Sequence, residues 1–327
     1  MRRTASPLSL FLLGAGVFLL VLAPLLVWYV QPQAKRTPID TDTTTVFTGT
    51  GSYFDTGKVE TLTGKEITIT RQVRGDVADS LESGNAVWDV STSVDHSETL
   101  PASDPRDALQ WTMERWVTDR YTNEPVHCCE ESPTFDGEAY LKFPFDVERR
   151  AYRWWDSTLG GVVRLEYAGE RKIQGYEGYL FKGKVEPTRT GVRQVPGMLV
   201  DRPKTPQILA EEWYSNSGIE LVVDQRTGRI INAAIGPKKT LRAPGSSKDA
   251  VTLLESKRVE FTEETQKKQV ELASADSKRL ALLGGTLPAG AVALGLVLTL
   301  VGTVLVVRGR RNEPEAPNTH MMTNSPT

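Results

Sequence analysis

The chain has 327 residues, with 39 Lys/Arg against 41 Asp/Glu and only two cysteines. Without the five arginines and two glutamates of its short terminal tails, the remainder carries a net charge near −5. A protein that grips nucleic acid needs a surplus of Lys and Arg to displace phosphate counterions, so nucleic acid is excluded as the expected partner. The stretch between the apolar ends, about 250 residues, suffices to bury a core without a disulfide framework.

Residues 8–30 form an apolar run behind Arg2 and Arg3. The run is longer than the roughly 7–15 apolar residues of a cleavable signal, and its exit through Val30, Gln31, Pro32 and Gln33 lacks the small-residue cleavage pattern. It is read as an uncleaved transmembrane helix after a cytoplasmic stretch 1–7, with Trp28 and Tyr29 at the headgroup level on the far side. Residues 31–45 are rich in Pro and Thr and poor in apolar side chains, which predicts a linker.

A β-rich domain is expected over 46–261. Short apolar stretches alternate with Gly, Asp and Thr up to Thr99, and Ile67 and Ile69 face one side of a strand while Thr68 and Thr70 face the other. From 104 to 119 two patterns compete. Pro105 suits a helix start, with Leu109, Met113 and Trp116 at helical spacing. Against that, WVTDRYTNEPV at 116–126 matches LVVDQRTGRII at 221–231, aligning Asp119 with Asp224 and Thr122 with Thr227. An Asp and a Thr so spaced hydrogen-bond the backbone of a tight turn, and Gly228 supplies positive φ, so both segments predict β-hairpins. Further strands are expected around 162–167, 171–174 and 179–185. The Pro- and Arg-rich stretch 184–207 reads as an extended excursion rather than a central strand.

After Phe261, Thr262 caps a predicted helix over 262–283, with Glu263 and Glu264 in its first turn. Residues 284–307 lack charge and exceed the roughly 20 residues that span a bilayer, and Arg308, Arg310 and Arg311 mark a cytoplasmic edge. The tail 308–327 is expected to be cytoplasmic and disordered. The predicted fold class is α+β: a mostly antiparallel β extracytoplasmic domain between two transmembrane helices. Ala291, Gly295, Thr299 and Thr303 recur every fourth residue, a stripe that would let the first helix, with Gly14, Gly16 and Ala23, approach closely through Gly295.

Three groups of residues invite a site. Phe143, Phe145, Tyr152, Trp154 and Trp155 have the chemistry of an acyl-chain pocket, with Arg149, Arg150 and Arg153 placed to meet an anionic headgroup. The same aromatics also suit a plain core. Cys128 and Cys129 are expected to close a vicinal disulfide in an oxidising compartment, either fixing the loop before Phe135 or acting as a redox switch. A metal held with His127 is disfavoured, because adjacent residues of an extended chain point to opposite sides. No GxSxG, HExxH or Gly-rich phosphate loop occurs, so neither catalysis nor a cofactor is expected, although an unassigned carboxylate pair leaves a hydrolase or transferase as a third reading.

The run KFPFDVERRAYRWWDSTLGG, with HCCEE before it and DQRTGRI after it, resembles the actinobacterial PorA-type family of two-pass membrane proteins, a domain of unknown function. The resemblance covers nearly the whole chain. It implies an outward β-rich head similar in fold to the class B scavenger-receptor superfamily, ties to a membrane lipid or envelope glycolipid, and envelope biosynthesis proteins as partners in lipoglycan assembly. A structural or sensory partner of a membrane complex, without a ligand of its own, is the alternative. A pore built from strands needs many of about 9–11 residues crossing the bilayer, whereas two helices already account for the membrane here.

Overall fold

A computed structural model describes residues 7–100 and 107–311. It divides into two compact units, Lys35–Lys278 and the terminal segments Met1–Ala34 with Arg279–Thr327. The proposed helix start at Pro105 and nearly all of both terminal tails lie outside the described residues.

In the terminal unit, α1 (Pro7–Leu25) continues through a π turn (Leu26–Val30) into one short helical turn, α2 (Gln31–Ala34). At the other end of the chain, α5 (Leu287–Arg311) follows a second π turn (Leu282–Thr286). Both helical runs are long and apolar enough to cross a membrane. The small residues decide how they pack. A Cβ added at Gly16 would lie 2.9 Å from the Gly295 carbonyl oxygen, and one at Gly302 would lie 2.8 Å from the Leu13 nitrogen. The two backbones therefore touch where side chains are absent, as close helix crossings in lipid require. Phe11, Phe18 and Leu300 point outward, each more than 60% exposed, as lipid-facing side chains should be.

The head is a curled antiparallel sheet of ten strands among the described residues. One antiparallel meander runs through β1 (Asp42–Asp55), β2 (Glu60–Gly75), β3 (Ala86–Asp95) and β4 (Gln110–Thr118). The other comprises β5 (Tyr152–Asp156), β6 (Gly161–Ile173), β7 (Tyr176–Pro196), β8 (Gln207–Val223), β9 (Ile230–Arg242) and β10 (Val251–Phe261). The first and last strands pair with each other, Phe47 opposite Phe261, so the chain enters and leaves the head side by side. Immediately after β10, Thr262 caps α4 (Glu263–Ala281) by accepting the Thr265 amide at 3.2 Å.

The two free edges, β4 and β5, are tied to one crossing segment. Arg115 and Ser132 exchange backbone hydrogen bonds at 2.8 and 3.0 Å, while Trp155 donates to the Ala139 carbonyl at 2.9 Å. The result is a half-barrel. Its interior holds the aromatic side chains: Trp116, Phe135, Tyr140, Phe143 and Phe181 are all at most 1% exposed. Phe135 lies 5.3 Å from both Tyr140 and Trp155 between ring centroids, the spacing of favourable aromatic pairs.

Several local expectations are corrected. The linker ends early, because the β-branched run Thr43 to Thr45 is paired with Val73 to Arg71 and β1 begins at Asp42. Thr68 is buried along with Ile67 and Ile69, lying between Thr48 and Asp95 of the neighbouring strands. A short helix, α3 (Val77–Ser83), follows β2, with Asp76 accepting the Asp79 amide at its start and Gly84 at φ 76° at its end. The strands expected at 162–167 and 171–174 are one strand, β6, with a bulge between Tyr167 and Glu170. The Pro-rich stretch is not an excursion. β7 pairs with β8 all the way to Pro196 opposite Gln207. Pro187 is tolerated because it falls in a bulge beyond Lys182, where pairing with β6 has already ended and its missing N–H interrupts no second ladder.

Candidate functional site

The two similar turns predicted from sequence form, and both grip one segment. In the first, Asp119 accepts the Tyr121 and Thr122 amides at 2.7 Å, and Asn123 takes φ 64°. In the second, Asp224 accepts the Thr227 amide at 2.8 Å, and Gly228 takes φ 70°. The second turn joins two full strands. The first returns only as a bridge between Thr118 and Pro125, since Pro125 cannot donate to a ladder and the chain turns again at Cys128. Asn123 Nδ2 donates to the Lys142 carbonyl at 3.0 Å, while Phe143 N donates to the Gly228 carbonyl at 2.8 Å. Lys142 is thus fixed from both sides.

Lys142 lines a cavity of about 200 Å³ within the curled sheet. This is larger than the roughly 150 Å³ apolar cavity that accepts benzene. Its apolar wall includes Phe47, Trp88, Ile219, Leu221 and Phe261, together with Trp154 and Trp155. Two polar networks interrupt that wall. In one, Asp156 accepts the Thr158 and Leu159 amides at 2.9 Å and the Tyr214 hydroxyl at 3.1 Å. Beside it, Ser157 donates to the Tyr140 hydroxyl at 2.8 Å, and Tyr140 donates in turn to buried Glu114. Burial pushes the Asp156 carboxyl above the usual carboxylate range, partly opposed by its own turn amides, and burial likewise raises Tyr140 and Tyr214.

The second network lies where the chain enters the head. Lys142 Nζ reaches Thr37 Oγ1 at 3.4 Å and sits 3.8 Å from the Phe145 ring centroid. Among the described residues no carboxylate lies within ion-pair distance of it. Burial, then the like charge of Arg229, pull the amine down to about 7, against weaker support from Asp276 and Asp224. Arg229 reaches Gln269 at 3.4 Å and Asp276 of α4 at 3.3 Å.

The aromatic residues singled out from sequence divide between core and site. Phe143 and Tyr152 pack in the core, Trp154 and Trp155 face the cavity, and Phe145 supports the Lys142 amine. The three arginines lie on the outside, each paired with a carboxylate: Arg149 with Glu170 at 2.7 Å, Arg150 with Glu138 at 2.7 Å, and Arg153 with Asp136 at 2.8 Å. The structure does not bring them to the cavity, because Arg149 and Arg150 lie in an exposed loop before β5 and Arg153 alternates outward between buried Tyr152 and Trp154. Cys128 and Cys129 lie side by side in the crossing segment, with Arg115 Nε donating to the Cys129 carbonyl at 2.9 Å. The disulfide expected between them from sequence is put to the test by mass mapping of the unreduced peptide, where two free thiols would overturn it.

Two membrane-crossing helices flanking an extracytoplasmic β half-barrel with a lined interior define a two-pass membrane protein with an outward β domain. The profile of the family described as Porin PorA matches residues 8–304, and the chain belongs to that family. A comparison with curated proteins gives no match.

Proposed function

We propose that the head is a binding module for a membrane lipid or envelope glycolipid, held at the membrane by its two helices with both termini in the cytoplasm and serving envelope lipoglycan assembly. The observation that carries this is the cavity: an apolar interior with aromatic walls and a few convergent polar groups has the composition of a site for an amphiphile. The interior is otherwise packed with aromatic side chains, which favours holding a ligand over passing solutes. Binding is favoured over hydrolysis or transfer because Asp156, the carboxylate on the cavity wall, already has both oxygens engaged in its own turn and with Tyr214.

The test is lipid extraction and native mass spectrometry of the purified full-length protein. A co-purified amphiphile is expected, and a protein that is always empty overturns the proposal. For orientation, external cysteine labelling should reach an engineered site at Thr43 and miss one at Asn318. Labelling of the tail from outside would reverse the assignment of the termini.

A further inference from the structure

The cavity wall is cationic, although the head as a whole is not. Its charged lining residues are Arg71, Lys142, Arg229 and Asp156. Three are basic, and the one carboxylate is occupied by backbone amides and a tyrosine hydroxyl. Among the described residues neither Arg71 nor Lys142 has a carboxylate within ion-pair distance; Arg71 rests against the Tyr140 ring instead, 5.5 Å from its centroid. Partly desolvating a cation without an opposite charge is unfavourable, and a ligand that supplies the anion relieves that cost.

A second, independent observation points the same way. Three buried polar atoms of cavity-lining residues lack a partner: Trp88 Nε1, Trp155 Nε1 and Arg229 Nε. All three are donors, and an indole N–H or a guanidinium N–H cannot accept. A wall whose uncommitted polar atoms are donors, and whose Lys142 lacks an opposite charge, suits a group that only accepts and carries negative charge. A carboxylate or a phosphate has that chemistry, and a hydroxyl or amine headgroup does not.

We infer that the cavity holds an anion subsite, with Lys142 and Arg229 as its fixed charges, that selects amphiphiles bearing a carboxylate or phosphate head. The subsite rests on the lipid-binding proposal and gives it a ligand class. Its location fits: Lys142 and Arg229 line the cavity beside Thr37 and Gln269 of α4, and aromatic side chains share the same lining and suit an apolar tail. The depressed basicity of Lys142 supports the same placement, since an arriving anion would restore the proton that burial disfavours.

The test uses full-length protein in detergent, titrated with palmitic acid, hexadecyl phosphate or hexadecanol, with complexes counted by native mass spectrometry. The parent is expected to retain at least one of the two acids about tenfold better than the alcohol, a difference typical of one charge-assisted contact. The acid retained more strongly assigns the head as carboxylate or phosphate. Lys142→Met should lose most of that preference while retaining hexadecanol as before, and Lys142→Arg should keep it. Equal retention of acids and alcohol by the parent, or an undiminished preference in Lys142→Met, overturns the anion subsite and leaves lipid binding standing. Retention of none of the three overturns both.

Discussion

The turns at 119–124 and 224–229 follow one recipe in two settings. Each starts from an Asp that accepts amides of its own turn, and each passes through a left-handed residue four positions on. In the first that residue is Asn123, whose side chain reaches across to the Lys142 carbonyl. In the second it is Gly228, whose backbone lies so near the neighbouring segment that an added Cβ would stand 2.1 Å from the Phe143 carbonyl oxygen. The same φ is thus met for different reasons. Asn is tolerated in the left-handed region and brings a useful amide, whereas close backbone approach leaves room only for Gly. Together the turns hold a lysine that the surrounding burial would otherwise displace.

Exchanging the two residues separates those reasons most strongly. Gly228→Asn keeps a residue type that accepts positive φ but places Cβ against backbone, so it should cost about 4 kcal/mol or prevent folding, as read by thermal and denaturant unfolding. A loss below about 1 kcal/mol would show that φ alone selects glycine there.

The initiating aspartates should differ next. Asp224 is 2% exposed and also accepts the Tyr176 hydroxyl at 2.6 Å, a bond that with burial raises Tyr176 to about 12. Asp224→Ala leaves buried donors unpaired and should cost about 3 kcal/mol. In the exposed first turn, Asp119→Ala should cost about 1 kcal/mol. Equal losses would remove the distinction between a buried and a solvated turn.

The lysine held by both turns gives a pH-dependent effect. Its folded pKa, about 7, lies below its unfolded value, so the unfolded chain binds more protons between about pH 7 and 10 and the parent gains stability as pH rises through that window. At low pH the buried charge is fully present and most costly. Lys142→Met should therefore stabilise the head by about 2 kcal/mol at pH 6, with the gain shrinking towards pH 10. A gain independent of pH would assign the effect to packing.

The smallest effect is the converse exchange. Asn123→Gly preserves φ and loses only the amide contacts to the Lys142 and Phe143 carbonyls, which should cost about 1 kcal/mol and slightly loosen Lys142.

The alignment of Asp119 with Asp224 was readable because turn chemistry is local: an Asp, a Thr and a left-handed residue act within a few positions of one another. The membrane helices were readable for the same reason, since bilayer length and charge exclusion act on contiguous residues. α3 was missed although its cap, Asp76, and its terminating Gly84 are both local signals, because the helix is only seven residues long. In the candidate site, Trp154 and Trp155 were picked out by composition, and the outward arginines with them. Lys142 was passed over beside them. A single lysine within the apolar run Tyr140 to Phe145 was the available sign, but a lysine there can bend to solvent as easily as turn inward.

The two apolar helices, the β-rich segment between them and the chemistry of its turns are legible in the amino-acid order, because each depends on spacing along the chain. The pairing of β1 with β10, the crossing segment that ties both sheet edges and the meeting of two distant turns at Lys142 emerge once the chain is folded. Those are contacts between residues up to more than 200 positions apart, and one strand pattern is compatible with many partners until the sheet curls and a common interior selects among them.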